Sequence, residues 1–284
     1  MGLGKITRLR RIFGHPSGRL FSVAVDHFIN HGDALPPGLR RIKGTLAAIV
    51  AGRPDALTMH KGVAESLWGP YAGHVPLILQ TIIARPDDSA WERVTAVDEA
   101  VRLGADAVAA AAFIRGSSEG AHLRAVANVV REARLFDLPV VCHIYPRVIG
   151  QDGAVTASVS LAPEDIAWAV RCALELGADV IKTPYCGEVA AFQDIVSECP
   201  RPIVIAGGPQ TPTLLHALAM TRDAARAGAK GATVGRNVWG SPHVTGAVRA
   251  FRAVVHQGCD PERALEAAGL AVGPRPLQDT AATT

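Results

Sequence analysis

Cysteine is scarce and unpaired in this 284-residue chain. Its five cysteines (Cys142, Cys172, Cys186, Cys199 and Cys259) are scattered, odd in number and form no Cys-x-x-Cys pair. That pattern excludes a disulfide framework and a structural zinc ribbon, and it fits a reducing compartment. No run approaches the roughly 18 apolar residues of a membrane span. The basic residues Lys5, Arg8, Arg10 and Arg11 are not followed by the apolar stretch of a signal peptide. A cytoplasmic protein with no membrane partner is therefore expected. Net charge is only +3 with the histidines neutral, so nucleic acid has no electrostatic footing, while anionic small molecules remain possible partners. His27, His31, His60, His74 and His143 are not gathered by any His-x-His or His-Glu-x-x-His spacing, so no metal is expected. No cofactor is expected, and the absence of an early Gly-x-Gly-x-x-Gly speaks against the rival doubly wound open sheet.

What is present is a repeating α/β pattern. Apolar residues make up 49% of the chain and charged residues 19%, enough for a large core. Continuous apolar runs of strand length occur at Leu20–Val25, Ala56–Met59, Leu77–Ile82, Ala107–Phe113, Val140–Ile144, Val180–Thr183, Ile203–Ala206 and Ala232–Val234. Unbroken rather than alternating runs belong to strands buried on both faces. Between them lie amphipathic helical stretches, among them Leu39–Val50, Trp91–Leu103, Leu123–Leu135, Pro163–Leu176 and Thr213–Ala227. Three helix-to-strand junctions repeat, at Gly104-Ala105-Asp106, Gly177-Ala178-Asp179 and Gly228-Ala229-Lys230, each with a glycine suited to a helix C-cap. Eight strands with intervening helices predict a single-domain (β/α)8 TIM barrel over residues 19–270. A basic lead-in at 1–18 and a loose tail at 271–284 would flank it.

In such barrels the active site lies at the C-terminal ends of the strands. Sorted by that rule, Asp26 and His27 end the first strand, His60 and Lys61 the second, and His143, Tyr145 and Arg147 the fifth. Lys182 ends the sixth, Gly207-Gly208 the seventh and Gly235-Arg236 the eighth. Lys182 has two readings: a structural cation neutralised by a carboxylate such as Asp26, or an amine made reactive by desolvation and neighbouring cations, able to condense with a carbonyl. Tyr145 is either an amphipathic rim residue or the group that moves a substrate proton. Asp26 could cap the following segment, or orient the amine and help proton transfer. His27 and His143 could each be a satisfied core or rim histidine. The glycines after strands seven and eight, with Arg236, match the phosphate cradle common in these barrels, against a plain reading as tight turns.

These residues together resemble the class I aldolases of the DeoC/LacD superfamily. The resemblance includes the archaeal-type fructose-bisphosphate aldolases, the 2-amino-3,7-dideoxy-heptulosonate phosphate synthases and the autoinducer-2 phosphate thiolases. The motifs that carry it are Val25-Asp26-His27, Tyr145-Pro146-Arg147, Asp179-Val180-Ile181-Lys182-Thr183, Ala206-Gly207-Gly208-Pro209 and Gly235-Arg236-Asn237-Val238. They run in the family's order from about Lys5 to Ala267. The resemblance implies a Schiff base on Lys182, acid–base work by Tyr145 assisted by Asp26, and phosphate contacts from Gly207, Gly208, Gly235 and Arg236. Arg147 would hold a second phosphate or another polar group, with His27 and His143 beside the substrate. It implies a metal-independent lyase acting on a phosphorylated ketose or related carbonyl compound, in a homo-oligomer. The alternatives are a transaldolase- or thiolase-type transfer and a non-catalytic phospho-sugar binder. The chain departs from the family's pattern at Phe28, His143, Pro184 and Gln210, so the machinery is kept while the pocket is altered.

Overall fold

The structure, a computed structural model, describes residues 2–31, 35–150 and 155–272. Its strands in chain order are β1 (Leu20–Ala24), β2 (Ala56–Met59), β3 (Leu77–Gln80), β4 (Ile82–Ala84), β5 (Trp91–Arg93), β6 (Ala107–Ile114), β7 (Val140–Ile149), β8 (Val155–Val159), β9 (Val180–Thr183), β10 (Ile203–Ala206) and β11 (Gly231–Val234). Eight of these, β1, β2, β3, β6, β7, β9, β10 and β11, pair in parallel in chain order. The ring closes where β11 returns to β1, with Leu20 opposite Gly231. The expected (β/α)8 barrel is thus present, with helices between successive strands covering its outer face. Every residue of β1, β2, β3, β6, β9, β10 and β11 is buried, which is why the strands read as unbroken apolar runs.

Alternate residues point inward, and the lower part of the interior is apolar. Leu20, Ala56, Ile78, Ala107, Ala109, Val141, Val180 and Val204 form one cluster there, completed by Ile12. Ile12 belongs to a helix, Leu3–Ile12, in the segment read from sequence only as a basic lead-in. This helix lies across the N-terminal mouth of the barrel. Lys5 anchors it through a buried ion pair with Asp179, its Nζ lying 3.1 and 2.9 Å from the two carboxylate oxygens. Asp179 also accepts the Val140 backbone N–H at 3.0 Å, tying the start of β9 to the start of β7.

Two local expectations fail. The helix expected over Trp91–Leu103 spans only Val97–Arg102, and Trp91–Arg93 is instead β5, antiparallel to β4. The backbone N–H groups of Val94 and Thr95 both donate to Thr81 O, holding the chain extended until Glu99 captures the Ala96 N–H at 2.7 Å and starts the helix. The fifth barrel strand also runs on past Ile144 to Ile149, where β8 folds back against it. Both hairpins stand on the rim at the C-terminal ends of the strands. Of the expected tail, residues 273–284 lie outside the described residues.

Breaking a buried ion pair by removing one partner strands the other charge. Lys5→Met is therefore expected to lower the unfolding free energy by about 3 kcal/mol, read as a lower urea midpoint with an unchanged slope.

Candidate active site

The barrel register brings the sequence-selected groups to one level above the apolar floor. On β7 and β9, His143 lies opposite Lys182, and on β6 and β7, Ala111 lies opposite His143 and Phe113 opposite Tyr145. Phe113 and Tyr145 stack with ring centroids 5.3 Å apart. The small Ala111 leaves space beside His143 that a larger inward side chain would fill. Asp26 enters from the end of β1, where its carboxylate feels the charge of Lys182 and lies close to His27 and His143.

Lys182 is 5% exposed. Among the described residues no carboxylate forms an ion pair with it: Asp26 Oδ1 instead faces His27 Nδ1 at 3.4 Å. The contrast with Lys5 is direct. Lys5, equally buried, is gripped by both oxygens of Asp179, as a structural lysine must be. Burial alone would raise the proton affinity of Asp26, but the hydrogen bond with His27 and the nearby charge of Lys182 outweigh it. They hold the carboxyl well below its usual range. His143 is driven well below the imidazole range, first by burial and then by Lys182, so it stands neutral beside the amine. Burial likewise keeps His27 neutral against the pull of Asp26. The pocket around Lys182 thus holds one ionised carboxylate and two neutral imidazoles.

The two glycine loops meet on the far side of Lys182. Gly208 has φ +66°, a conformation open to glycine at no steric cost. At Gly235 a Cβ would lie 2.3 Å from His27 Cε1 and 2.9 Å from Ala24 O, so only glycine lets this turn pass. The loops are stapled by Asn237, which is fully buried. Its Nδ2 donates to Gly207 O and Pro209 O, both at 2.9 Å, and its Oδ1 accepts from the Thr211 N–H at 2.8 Å. Asn237 stands in a recognised motif, yet its clamp depends on which carbonyls a distant loop presents, and composition gives no sign of it. Arg236 makes no ion pair among the described residues, and its Nε is buried without a partner. Burial lowers its proton affinity and nearby Tyr145 raises it. It is a part-buried cation at the start of the short helix Arg236–Trp239, within electrostatic reach of Tyr145 and His27.

Arg147 does not join this group. All five of its N–H donors are engaged: Nε and Nη2 donate to Arg115 O at 3.2 and 2.7 Å, and Nη2 also to Ser118 Oγ at 2.7 Å. Nη1 donates to Pro86 O at 3.2 Å and pairs with Asp88 Oδ1 at 2.9 Å. Asp88 is further held by Ser118 Oγ at 2.6 Å and by His122 Nε2 at 2.8 Å. His122 accepts the Phe113 N–H on Nδ1 at 3.3 Å, which fixes its proton on Nε2. The side chain expected to hold a second phosphate is thus the centre of a buried knot joining three rim loops. Phe28, on the short helix His27–His31, is half exposed at the same rim. Lys61 turns away to Glu99 at 2.7 Å.

Burial is the largest cause holding His27, His60, His122 and His143 below the ordinary imidazole range. Below about pH 6.5 the unfolded chain takes up protons at these positions that the folded chain refuses. Stability is full above that pH and is lost as the pH falls. Urea unfolding free energy is expected to drop between about pH 7 and 5, and His143→Gln to flatten that slope by up to about 1.4 kcal/mol per pH unit.

The comparisons with known proteins agree with this geometry. The family model described as DeoC/LacD family aldolase matches residues 20–241. The 2-amino-3,7-dideoxy-D-threo-hept-6-ulosonate synthase of Halobacterium salinarum is 35% identical over 95% of this chain and 98% of its own. The class 1 fructose-bisphosphate aldolase of Thermoproteus tenax is 34% identical over 87% of this chain and 93% of its own. A solved archaeal fructose-1,6-bisphosphate aldolase, with its catalytic lysine covalently bound to the carbinolamine intermediate of the substrate, superposes with a TM-score of 0.76. It is 30% identical, covering 89% of this chain and 99% of that one.

Proposed function

The chain belongs to the DeoC/LacD family of aldolases, and on that premise we propose that it makes or breaks a carbon–carbon bond through a Schiff base on Lys182. It is a class I aldolase, and its substrate is a phosphorylated ketose or a related carbonyl compound. The observation that carries this reading is the buried Lys182 amine, which among the described residues has no ion-pair partner, whereas the other buried lysine, Lys5, is fully paired.

Each step has a group suited to it. Lys182 passes its ammonium proton to water while ionised Asp26 orients the amine, and the free amine adds to the ketone carbon. Loss of water from the carbinolamine gives the iminium. In cleavage, the bond between the α-carbon and the carbinol carbon breaks and its electron pair moves onto the iminium, forming an enamine. The carbinol hydroxyl proton passes to the Tyr145 oxygen as the phenol hands its own proton on to water, which restores it after the next step, and the aldehyde leaves. Tyr145 returns that proton to the enamine carbon, and water hydrolyses the new iminium. The apolar floor excludes water from below, and the stack on Phe113 fixes the tyrosine ring. The loops at Gly207-Gly208 and Gly235, with Arg236, hold the phosphate. In a transfer variant of the same chemistry the enamine attacks a second acceptor, a reading favoured by the Halobacterium salinarum synthase relative. A requirement for that acceptor in turnover separates the two.

We further propose a homo-oligomer working in the cytoplasm. All five cysteines are free thiols, and Leu3, Leu135, Phe136 and Trp168 expose apolar surface that a second copy could cover. No helix among the described residues is long and apolar enough to cross a membrane.

Lys182→Met is expected to abolish turnover. Tyr145→Phe is expected to slow cleavage by about 100-fold while leaving exchange of the ketone oxygen with 18O-water intact, since that exchange needs only the Schiff base. Loss of both in Tyr145→Phe would assign the tyrosine a different role.

A further inference from the structure

A second group of cations lies at the N-terminal end of the barrel, on its outer wall. The helix Val244–Gln257 follows β11 and runs back along the strands, so its last turns come level with the loop that leads into β1. Arg249, Arg252 and His256 share one face of this helix, at spacings of three and four residues. A cavity of about 240 Å³ opens there, lined by these three residues, by Gln257, by His15 from the loop before β1 and by alanines of the last helix, Pro261–Ala267. His256 is held at both ring nitrogens: Nε2 lies 2.9 Å from Asp55 Oδ2, and Nδ1 lies 2.9 Å from Ser17 Oγ. His15 stacks on His256 with ring centroids 3.7 Å apart and meets the same Ser17 Oγ at 3.0 Å. The Asp55 oxygen that faces His256 also accepts the Phe21 N–H at 2.6 Å, so this carboxylate ties the wall to the start of β1.

The two arginines have no such partner. Among the described residues neither forms an ion pair, no carboxylate lines the cavity, and Arg252 Nε is buried without a hydrogen bond. Burial and then His256 and Arg252 hold His15 below the ordinary imidazole range against the pull of Asp55, so the Arg252 charge lies within electrostatic reach of that ring. Like charges three and four residues apart repel on a helix. The helix dipole favours cations in the last turn, and Arg249 and Arg252 both stand before it. A solvated basic face accounts for Arg249, which is exposed, but not for a part-buried Arg252 whose Nε is out of water. We propose that this cavity is an anion site, separate from the active site, that takes a phosphate dianion, free or as a small phosphomonoester, on Arg249, Arg252 and the stacked His15–His256 pair. Guanidinium forks match phosphate oxygens, and the imidazoles add donors beside them. The cavity falls below the roughly 300 Å³ at which pockets for whole drug-sized ligands begin, so it suits a phosphate with a short stem and not a nucleotide. The apolar floor of the barrel lies between this cavity and Lys182, so its occupant is a bound ligand and not the reacting substrate.

Inorganic phosphate, titrated calorimetrically at neutral pH and constant ionic strength into the full-length Arg236→Ala protein, tests this with the cradle above Lys182 disabled. The expected result is saturable binding at one site per chain, weakened roughly tenfold when Arg249→Gln or Arg252→Gln is added. No saturable binding, or binding that neither added substitution weakens, would overturn the proposal. Arg249 is exposed, so its substitution keeps the fold even where Arg252→Gln does not. A second arm with glycerol 1-phosphate identifies the source: binding as tight as that of phosphate assigns the site to phosphomonoesters, and weaker binding assigns it to the free ion, both with the site upheld. Trapping of Lys182 by a carbonyl substrate is expected to be unchanged in Arg252→Gln. Loss of trapping in a folded Arg252→Gln protein would make Arg252 a support of the active site and would overturn a separate site.

Discussion

A buried amine without an ion-pair partner is the constraint on which the upper half of this barrel depends. Removing a lysine from water is costly unless a counter-charge holds it. The chain contains both outcomes. Lys5 is gripped by Asp179 below the apolar floor, and Lys182 stands above that floor with Asp26 turned to His27. The neighbours of Lys182 are arranged so that its charge is neither fully neutralised nor left among other cations. His143 and His27 are kept neutral by burial, and among the described residues Asp26 is the ionised carboxylate that feels the charge of Lys182. An amine so placed is not gripped by a bidentate pair like that of Lys5.

The same distinction between engaged and available groups runs round the rim. Arg147 and Arg236 are both arginines at strand ends, two strands of the barrel apart from Lys182 on either hand at most, yet one uses all five donors on protein acceptors and the other has a buried Nε with none. Arg236 sits at the start of the short helix Arg236–Trp239, and Asn237 next to it staples the loop after β10 to the turn after β11. The two loops are therefore held together through Asn237. An anion held by Arg236 and the glycine backbones is fixed relative to β9, which carries the amine.

Much of this was legible in the sequence because strand-end position carries most of the information. Unbroken apolar runs marked the eight barrel strands, and sorting by strand end brought Asp26, Tyr145, Lys182, Gly207, Gly208, Gly235 and Arg236 to one rim. What escaped depends on non-local partners. Residues 91–93 carry no local signal separating helix from strand, and Thr81 O decides the matter by capturing two N–H groups. The helix at Leu3–Ile12 is short and basic, and its value lies in Ile12 filling the barrel mouth and Lys5 meeting Asp179, 174 positions away. Arg147 looked like a ligand-binding arginine because nothing in Tyr145-Pro146-Arg147 reveals that Pro86, Asp88, Arg115 and Ser118 close around it.

The central claim is that Lys182, among the five lysines of the chain, is the one that becomes covalently bonded to substrate. Borohydride reduction during turnover of a carbonyl substrate, followed by peptide mass mapping, tests it most directly. The account predicts a stable adduct on the peptide containing Lys182 and on no other lysine, with parallel loss of activity. Inactivation with the adduct on Lys5, Lys43, Lys61 or Lys230, or full turnover with no adduct on Lys182, would contradict it.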